Sequence, residues 1–152
     1  MKIRLLKKTE ISKCAEIVRK NYSKKWEKTS AAELKSMFSN SAANPIYYVA
    51  EEDNKIIGFI GFIQSWMDYN IYQIFWVNVD PSKQRQGVGK KLVAKVISEI
   101  KKKKNAALIQ LSATLPNSKY YAQHFGFKTM ELFGPELHHL MTLSILKKNI
   151  RQ

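Results

Sequence analysis

Between Ile71 and Val79 the chain is β-branched or aromatic at nearly every position, which predicts a strand. Pro81 ends it, and a polar loop with two glycines, Gly87 and Gly89, follows. Val88, Leu92, Val93, Val96, Ile97 and Ile100 then recur at helical spacing, predicting a helix to about Asn105. Upstream, residues 2–6 read as a short strand. Thr9 is the expected N-cap of a helix through about Tyr22, with Ile11, Cys14, Ala15, Val18 and Tyr22 on its inner face. Ser30 and Glu33 predict a capping box for a second helix with Leu34, Met37 and Phe38 inside, leaving 23–29 as a linker that carries Trp26. A strand over 46–51 follows Pro45, and Asp53-Asn54-Lys55 is turn chemistry. Residues 56–63 are apolar on both faces, which suits a central strand covered by helices; Gly58 and Gly61 mark close packing or a bulge. After a turn over 64–69 and the first strand and helix described, 106–113 is apolar and strand-like. Pro116-Asn117 opens a short helix through about His124, Gly126 stops it, a strand starts at Phe127, and the last strand runs over 138–146.

The order is βααβββαβαββ. Three sequential strands joined by short turns should be antiparallel, whereas the helix after Gly87 must cross between parallel strands. The expected fold class is therefore mixed α+β. No repeat or low-complexity break appears, so 1–150 is expected to be a single domain.

Composition narrows the picture slightly. The 152 residues contain no run of 18 apolar positions, and the first eight lack an apolar signal-peptide core. The only cysteine, Cys14, falls on an inner helix face and reads as a small core residue. A soluble cytoplasmic protein without membrane contact is the expectation, and a homodimer is left open. The net charge is +14, and 22 of the 26 basic residues are lysines spread along the chain. Such a field favours anionic partners. The dense run 101–104 falls at a helix C-terminus, where it offsets the helix dipole without any partner.

The glycine loop carries the clearest chemistry. A helix N-terminus presents unpaired N–H groups and partial positive charge, and glycines let a bound group approach, so strand, glycine loop and helix make a pyrophosphate cradle. Gly87-Val88-Gly89 lacks the third glycine of a dinucleotide fingerprint, Leu92 standing in its place, and no Gly-Lys-Ser/Thr follows at P-loop spacing. Gln84-Arg85-Gln86-Gly87-Val88-Gly89 instead resembles the Gln/Arg-x-x-Gly-x-Gly/Ala signature of the GNAT acetyltransferase superfamily. Asn117-Ser118-Lys119-Tyr120-Tyr121, continuing to Gly126-Phe127, resembles a second signature of that family, and the element order matches along essentially the whole chain.

The resemblance implies a GNAT fold, a mostly antiparallel sheet of about seven strands with about four helices. It implies an N-acetyltransferase with acetyl-CoA as acetyl donor, and direct attack by an acceptor amine: a small amine, an amino-sugar, a polyamine, or a protein or peptide amine. Backbone groups of Val77, Asn78 and Val79 would meet the pantetheine arm where two parallel strands splay at a bulge. Gln84, Arg85, Gln86, Gly87, Val88, Gly89 and Lys90 would hold the pyrophosphate, and Asn117 would touch the middle of the arm. Counted back from Gly126, the family's proton-donating tyrosine falls at Ala122. Tyr121 is the available catalytic candidate, although one residue on a helix is about 100° of rotation, which favours Tyr121 as an inward-packed ring. Trp26 reads equally as a core residue or as a wall of the acceptor site. No carboxylate lies on the signature strand before Asp80, where Gln73 stands. Asp68, Glu131, Glu136, His138 and His139 are the candidate bases, each histidine reading first as a solvated side chain. Adjacent histidines on a strand face opposite ways, so one at most enters the site. No metal-ligand spacing is present, so no metal is expected. The competing reading is a basic nucleic-acid- or protein-binding module with vestigial or regulatory coenzyme A binding. No familiar nucleic-acid motif supports it, and only weak, salt-sensitive nucleic-acid binding is expected.

Overall fold

The computed structural model describes residues 1–146; the last four residues of the expected 1–150 span lie outside them. The strands are β1 (Lys2–Leu5), β2 (Ile46–Glu52), β3 (Lys55–Gln64), β4 (Ile71–Val79), β5 (Leu108–Ala113), β6 (Lys128–Phe133) and β7 (His138–Ser144), and the helices α1 (Ile11–Asn21), α2 (Lys24–Lys35), α3 (Val88–Lys101) and α4 (Asn117–Phe125). One seven-stranded sheet runs β1-β2-β3-β4-β5-β7-β6. Every neighbouring pair is antiparallel except β4 with β5. This is the expected mixed α+β architecture.

The β2–β3 turn uses Asp53 and Asn54 at φ +49° and +60°. Two left-handed residues suit a two-residue hairpin whose twist matches its strands, and Asp and Asn tolerate that region best after glycine. α3 buries Val88, Leu92, Val93, Val96, Ile97 and Ile100 on one face of the sheet. Gly58 lets it approach. A Cβ there would lie 2.9 Å from the Asn78 carbonyl oxygen, 3.2 Å from Leu92 Cδ1 and 3.3 Å from Val88 Cγ1. On the other face, α1 and α2 cover β2 and β3 through Ile11, Cys14, Ile17, Val18, Leu34, Tyr47, Val49 and Phe59. Gly61 leaves room for the rings of Tyr47 and Phe75, each 2.6 Å from where its Cβ would stand. Cys14 is fully buried, and burial pushes its thiol up to about 12, as a core residue should behave.

The N-terminal helices depart from expectation. A 3-10 turn over Lys8–Glu10 precedes α1, so Thr9 is not a cap. Glu10 instead accepts from the Lys7 N–H (3.0 Å) and from Arg4 (2.7 and 2.9 Å), fastening the turn to β1. All of the 23–29 segment after Ser23 is helical, since α2 starts at Lys24. Ser30 therefore lies inside the helix, its hydroxyl donating to the Glu27 carbonyl (2.9 Å), and Ser30 and Glu33 form no capping box. Tyr22 and Phe38 are exposed, because α1 ends at Asn21 and Phe38 closes a 3-10 turn (Ser36–Phe38) rather than continuing α2.

Candidate active site

β4 and β5 pair only through Ile71 with Leu108, Tyr72 with Ile109, and Gln73 with Gln110. Beyond these the parallel strands part, β4 continuing to Val79 and β5 to Ala113. Along its other edge β4 bulges. Phe59 opposes Asn78 and Gly61 opposes Phe75, so Ile60 alone spans Trp76 and Val77. Trp76 sits at φ +51°, a region that bulky residues rarely enter. Its indole N–H donates to the Glu33 carboxylate, and Trp26 stands edge-on with ring centroids 6.2 Å apart. α2 thus holds the bulge from one side.

After β4 the chain makes a 3-10 turn over Pro81–Lys83, capped by Asp80, which accepts from the Ser82 N–H (3.0 Å) and hydroxyl (2.7 Å). Arg85 (φ +60°) and Gly87 (φ +82°) are left-handed. Alternating left-handed and ordinary backbone turns successive N–H groups toward one concavity, here at the N-terminus of α3. Asn21 locks the base of the loop. Its Nδ2 donates to Asn78 Oδ1 and the Val79 carbonyl, both at 3.0 Å, and its Oδ1 accepts from Gln84 Nε2 at 2.9 Å. Gln84 also donates to the Val79 carbonyl (3.2 Å), and Gln86 Nε2 to the Ser82 carbonyl (3.1 Å).

Two clefts flank the splay. The first, of about 430 Å³, is lined by Val77, Val79, Lys83, Gln84, Arg85, Gly87, Gly89, Lys90, Asn117, Tyr120, Tyr121 and His124. Lys83, Arg85 and Lys90 face it, Lys83 being paired with the Glu52 carboxylate, and no carboxylate is part of the lining. The second, of about 290 Å³, lies between Trp76, Tyr22 and the end of β5, with Glu136 and His138 on its wall. Val77, Asn117 and Tyr121 belong to both. His138 Nδ1 is 3.2 Å from Ser112 Oγ, and its Nε2 is 3.5 Å from a Glu136 oxygen.

Tyr121 is the pivot. Its ring packs against Phe127, Phe125 and Tyr120, and it is 9% exposed, so it is inward-packed as expected. Yet it also walls both clefts, while Ala122, where the family count placed the donor, is exposed and lines neither. Burial pushes the Tyr121 phenol up to about 12.

Most of the other expected residues gather here as well. Asn78 is buried and lines the second cleft, and Val88 packs into the core beneath the loop. Among the base candidates only Glu136 and His138 reach a cleft. Asp68 accepts from Asn70 in the β3–β4 turn, Glu131 is exposed on edge strand β6, and His139 lies 3.0 Å from Thr129 Oγ1. Lys83, Tyr120, His124, Asn21, Tyr22 and Trp76 were not anticipated. Trp76 and Tyr22 carried a signal, an aromatic side chain on the glycine-loop strand and at a helix end, and Tyr120 and His124 fall in the stretch of the second signature; Lys83 and Asn21 carried none. Among the described residues no three of His, Cys, Asp and Glu come together as metal ligands, and no helix is long and apolar enough to cross a membrane.

The sheet is parted between two parallel strands, and a phosphate-type loop opens a helix beside the gap. Residues 11–127 match the sequence profile of the acetyltransferase (GNAT) family. The chain belongs to that family. Solved structures agree in fold. A candidate GNAT-family acetyltransferase from Desulfovibrio desulfuricans superposes with a TM-score of 0.85 at 14% identity, over 95% of this chain and 99% of its own. An aminoglycoside 6′-N-acetyltransferase complexed with coenzyme A gives 0.80 at 15%, over 97% and 99%. The ribosomal-protein-S18-alanine N-acetyltransferase from Escherichia coli gives 0.72 at 21%, over 99% of each chain. At these identities the likeness is one of fold. No curated protein matches by sequence.

Proposed function

We propose that the protein transfers the acetyl group of acetyl-CoA to a primary amine of a small molecule or protein. The observation that carries this reading is the division of charge across the splay. The first cleft presents Lys83, Arg85 and Lys90 around a glycine loop, and the second presents Glu136 and His138; Tyr121 stands between them. The first suits a pyrophosphate and the second an ammonium group. The loop fits a bulky anion: a Cβ on Gly87 would meet nothing within 4 Å, and one on Gly89 only Val79 Cγ2 at 3.7 Å, so the concavity is open.

Acetyl-CoA, when bound, supplies an activated acetyl thioester. The loop N–H groups with Arg85 and Lys90 hold its phosphates, and the open edge of Val77 and the Asn117 amide orient the arm toward the gap. The carbonyl of Val79 is already used by Asn21 and Gln84. On the acceptor side the His138 ring and the Glu136 carboxylate, 3.5 Å apart, face the incoming ammonium, and the ring takes its proton. Glu136 stabilises the imidazolium that forms. The freed amine attacks the thioester carbon, the C–N bond forms as C–S breaks, Tyr121, neutral at working pH, protonates the departing sulfur, and the proton shed by the new amide nitrogen restores the phenol. Free-thiol release from acetyl-CoA, measured across a panel of amines, tests the reading. Amine-dependent release that collapses in His138→Gln with acetyl-CoA affinity retained is expected. Acetyl-CoA binding without amine-dependent release would refute it and favour a binding module on this fold.

A further inference from the structure

We propose that the end of the sheet opposite the glycine loop binds single-stranded nucleic acid. β4 and α3 both run between the two ends, and α3 alone separates them by about 20 Å. At the far end the β3–β4 turn presents Trp66, Met67 and Tyr69, which are 68%, 85% and 66% exposed. Three large apolar side chains projecting together from one turn are unusual for a surface without a partner.

The turn carrying them is firmly held. The Tyr69 carbonyl accepts from Gln64 Nε2 (2.8 Å) and Asn105 Nδ2 (2.6 Å), and Asp68 accepts from the Asn70 N–H (2.8 Å). Met67 N–H donates to Ser65 Oγ at 3.2 Å. The aromatic rings therefore stand out from a braced scaffold. Trp66 and Tyr69 flank a recess of about 450 Å³ completed by residues 41–44, Ile63 and Gln64.

Asn105, which bonds Tyr69, immediately follows the run Lys101, Lys102, Lys103 and Lys104. All four lysines are exposed. Lys102 pairs with Glu99 at 2.8 Å, whereas Lys101, Lys103 and Lys104 make no ion pair among the described residues. Asp68 is the carboxylate nearest to them in the turn and is occupied by Asn70. The fold has thus placed the densest cationic run beside the most exposed aromatic side chains, a juxtaposition that the sequence order does not show.

Aromatic faces beside a basic track are the elements that hold unpaired bases and their phosphates. A single strand fits better than a duplex, whose bases are stacked away from such rings. It also fits better than a lipid surface, because the recess between the rings is small and mixed, Ser41, Asn44 and Gln64 alternating with Ala42, Ala43 and Ile63, which suits the flat face and polar edge of one base. One base lies between Trp66 and Tyr69, and Lys101, Lys103 and Lys104 meet the neighbouring phosphates. This inference does not depend on the acetyl-transfer reading.

The test is fluorescence anisotropy of labelled oligo(dT) and oligo(U) with the full chain. Saturable binding is expected, with affinity falling on a log–log plot against salt with a slope of about −2 for three phosphate contacts. Trp66→Ala should weaken it about tenfold or more, and the double substitution Lys103→Gln, Lys104→Gln should flatten the slope by about 1.4. All three positions are exposed, so the core is untouched. Binding that survives saturating coenzyme A supports the far end. Binding that coenzyme A abolishes assigns it to the donor cleft and overturns the proposal. So does binding indifferent to both sets of substitutions, absence of binding at low salt, or capture by phosphatidylglycerol vesicles without any oligonucleotide binding.

Discussion

Asn21, the last residue of α1, and Asn78, buried near the end of β4, are joined side chain to side chain at 3.0 Å. Through the same amide group Asn21 holds Gln84, the first residue of the signature loop. One side chain thereby sets the loop against the strand whose open edge faces the first cleft. Asn21→Ala leaves a buried amide short of a partner, which costs about 1–3 kcal/mol. It should lower Tm by several degrees and raise KM for acetyl-CoA while kcat changes little. Denaturation and steady-state kinetics together check this; a fall in kcat at unchanged KM would separate Asn21 from loop positioning.

Tyr121→Phe removes one hydroxyl from a ring packed on Phe127 and Phe125. Thermal stability should hold, and kcat should fall roughly 10²-fold if that hydroxyl protonates the sulfur. Since its phenol is pushed up to about 12 by burial, no alkaline loss of kcat from its ionisation is expected below about pH 11. Unchanged kcat in the folded variant would reduce Tyr121 to its packing role.

The Arg4 guanidinium, hydrogen-bonded to Glu10, holds the Glu10 carboxyl below the usual carboxylate range. A folded-state value below the unfolded one contributes stability above the unfolded value, about 4.3, and loses it as pH falls through the folded value. Glu10→Gln should therefore lower Tm near pH 7, by an amount reflecting about 1.5–3 kcal/mol for a charged hydrogen bond. The deficit should shrink as pH falls from about 4.3 through the lowered folded-state value, where wild type becomes protonated too. Melting curves across that range decide it; a deficit independent of pH would deny the ion pair its role.

What the sequence disclosed was local. The β4 run, the helical spacing after Gly87 and the Asp53-Asn54 turn each depend on neighbours in the chain, and each appears in place, although α3 stops at Lys101 rather than near Asn105. The α2 start was misplaced because Ser-x-x-Glu is the same pattern whether it caps a helix or, as at Ser30, lies inside one. Trp76's left-handed backbone could not be read, since it sits in a bulge of the β3–β4 pairing and its side-chain partners, Glu33 and Trp26, come from a helix far away in sequence. Tyr121 shows the limit of counting. The spacing from Gly126 pointed to Ala122, but which helical face meets the clefts depends on how α4 is seated, and that is a tertiary property.

The central claim is that the glycine loop holds the phosphates of acetyl-CoA. Gly87 is a poor position to probe, because its φ of +82° strains any side chain. Gly89 lies inside the first turn of α3, where an added Cβ meets only an ordinary contact with Val79, and a helix-favouring glutamate suits the fold while setting a negative charge in the cleft. Titration calorimetry of acetyl-CoA against wild type and Gly89→Glu, with Tm measured alongside, is the direct measurement. Saturable binding to wild type, weakened at least about tenfold in a Gly89→Glu protein of undiminished stability, is the predicted result. Equal affinity in the two folded proteins would contradict it.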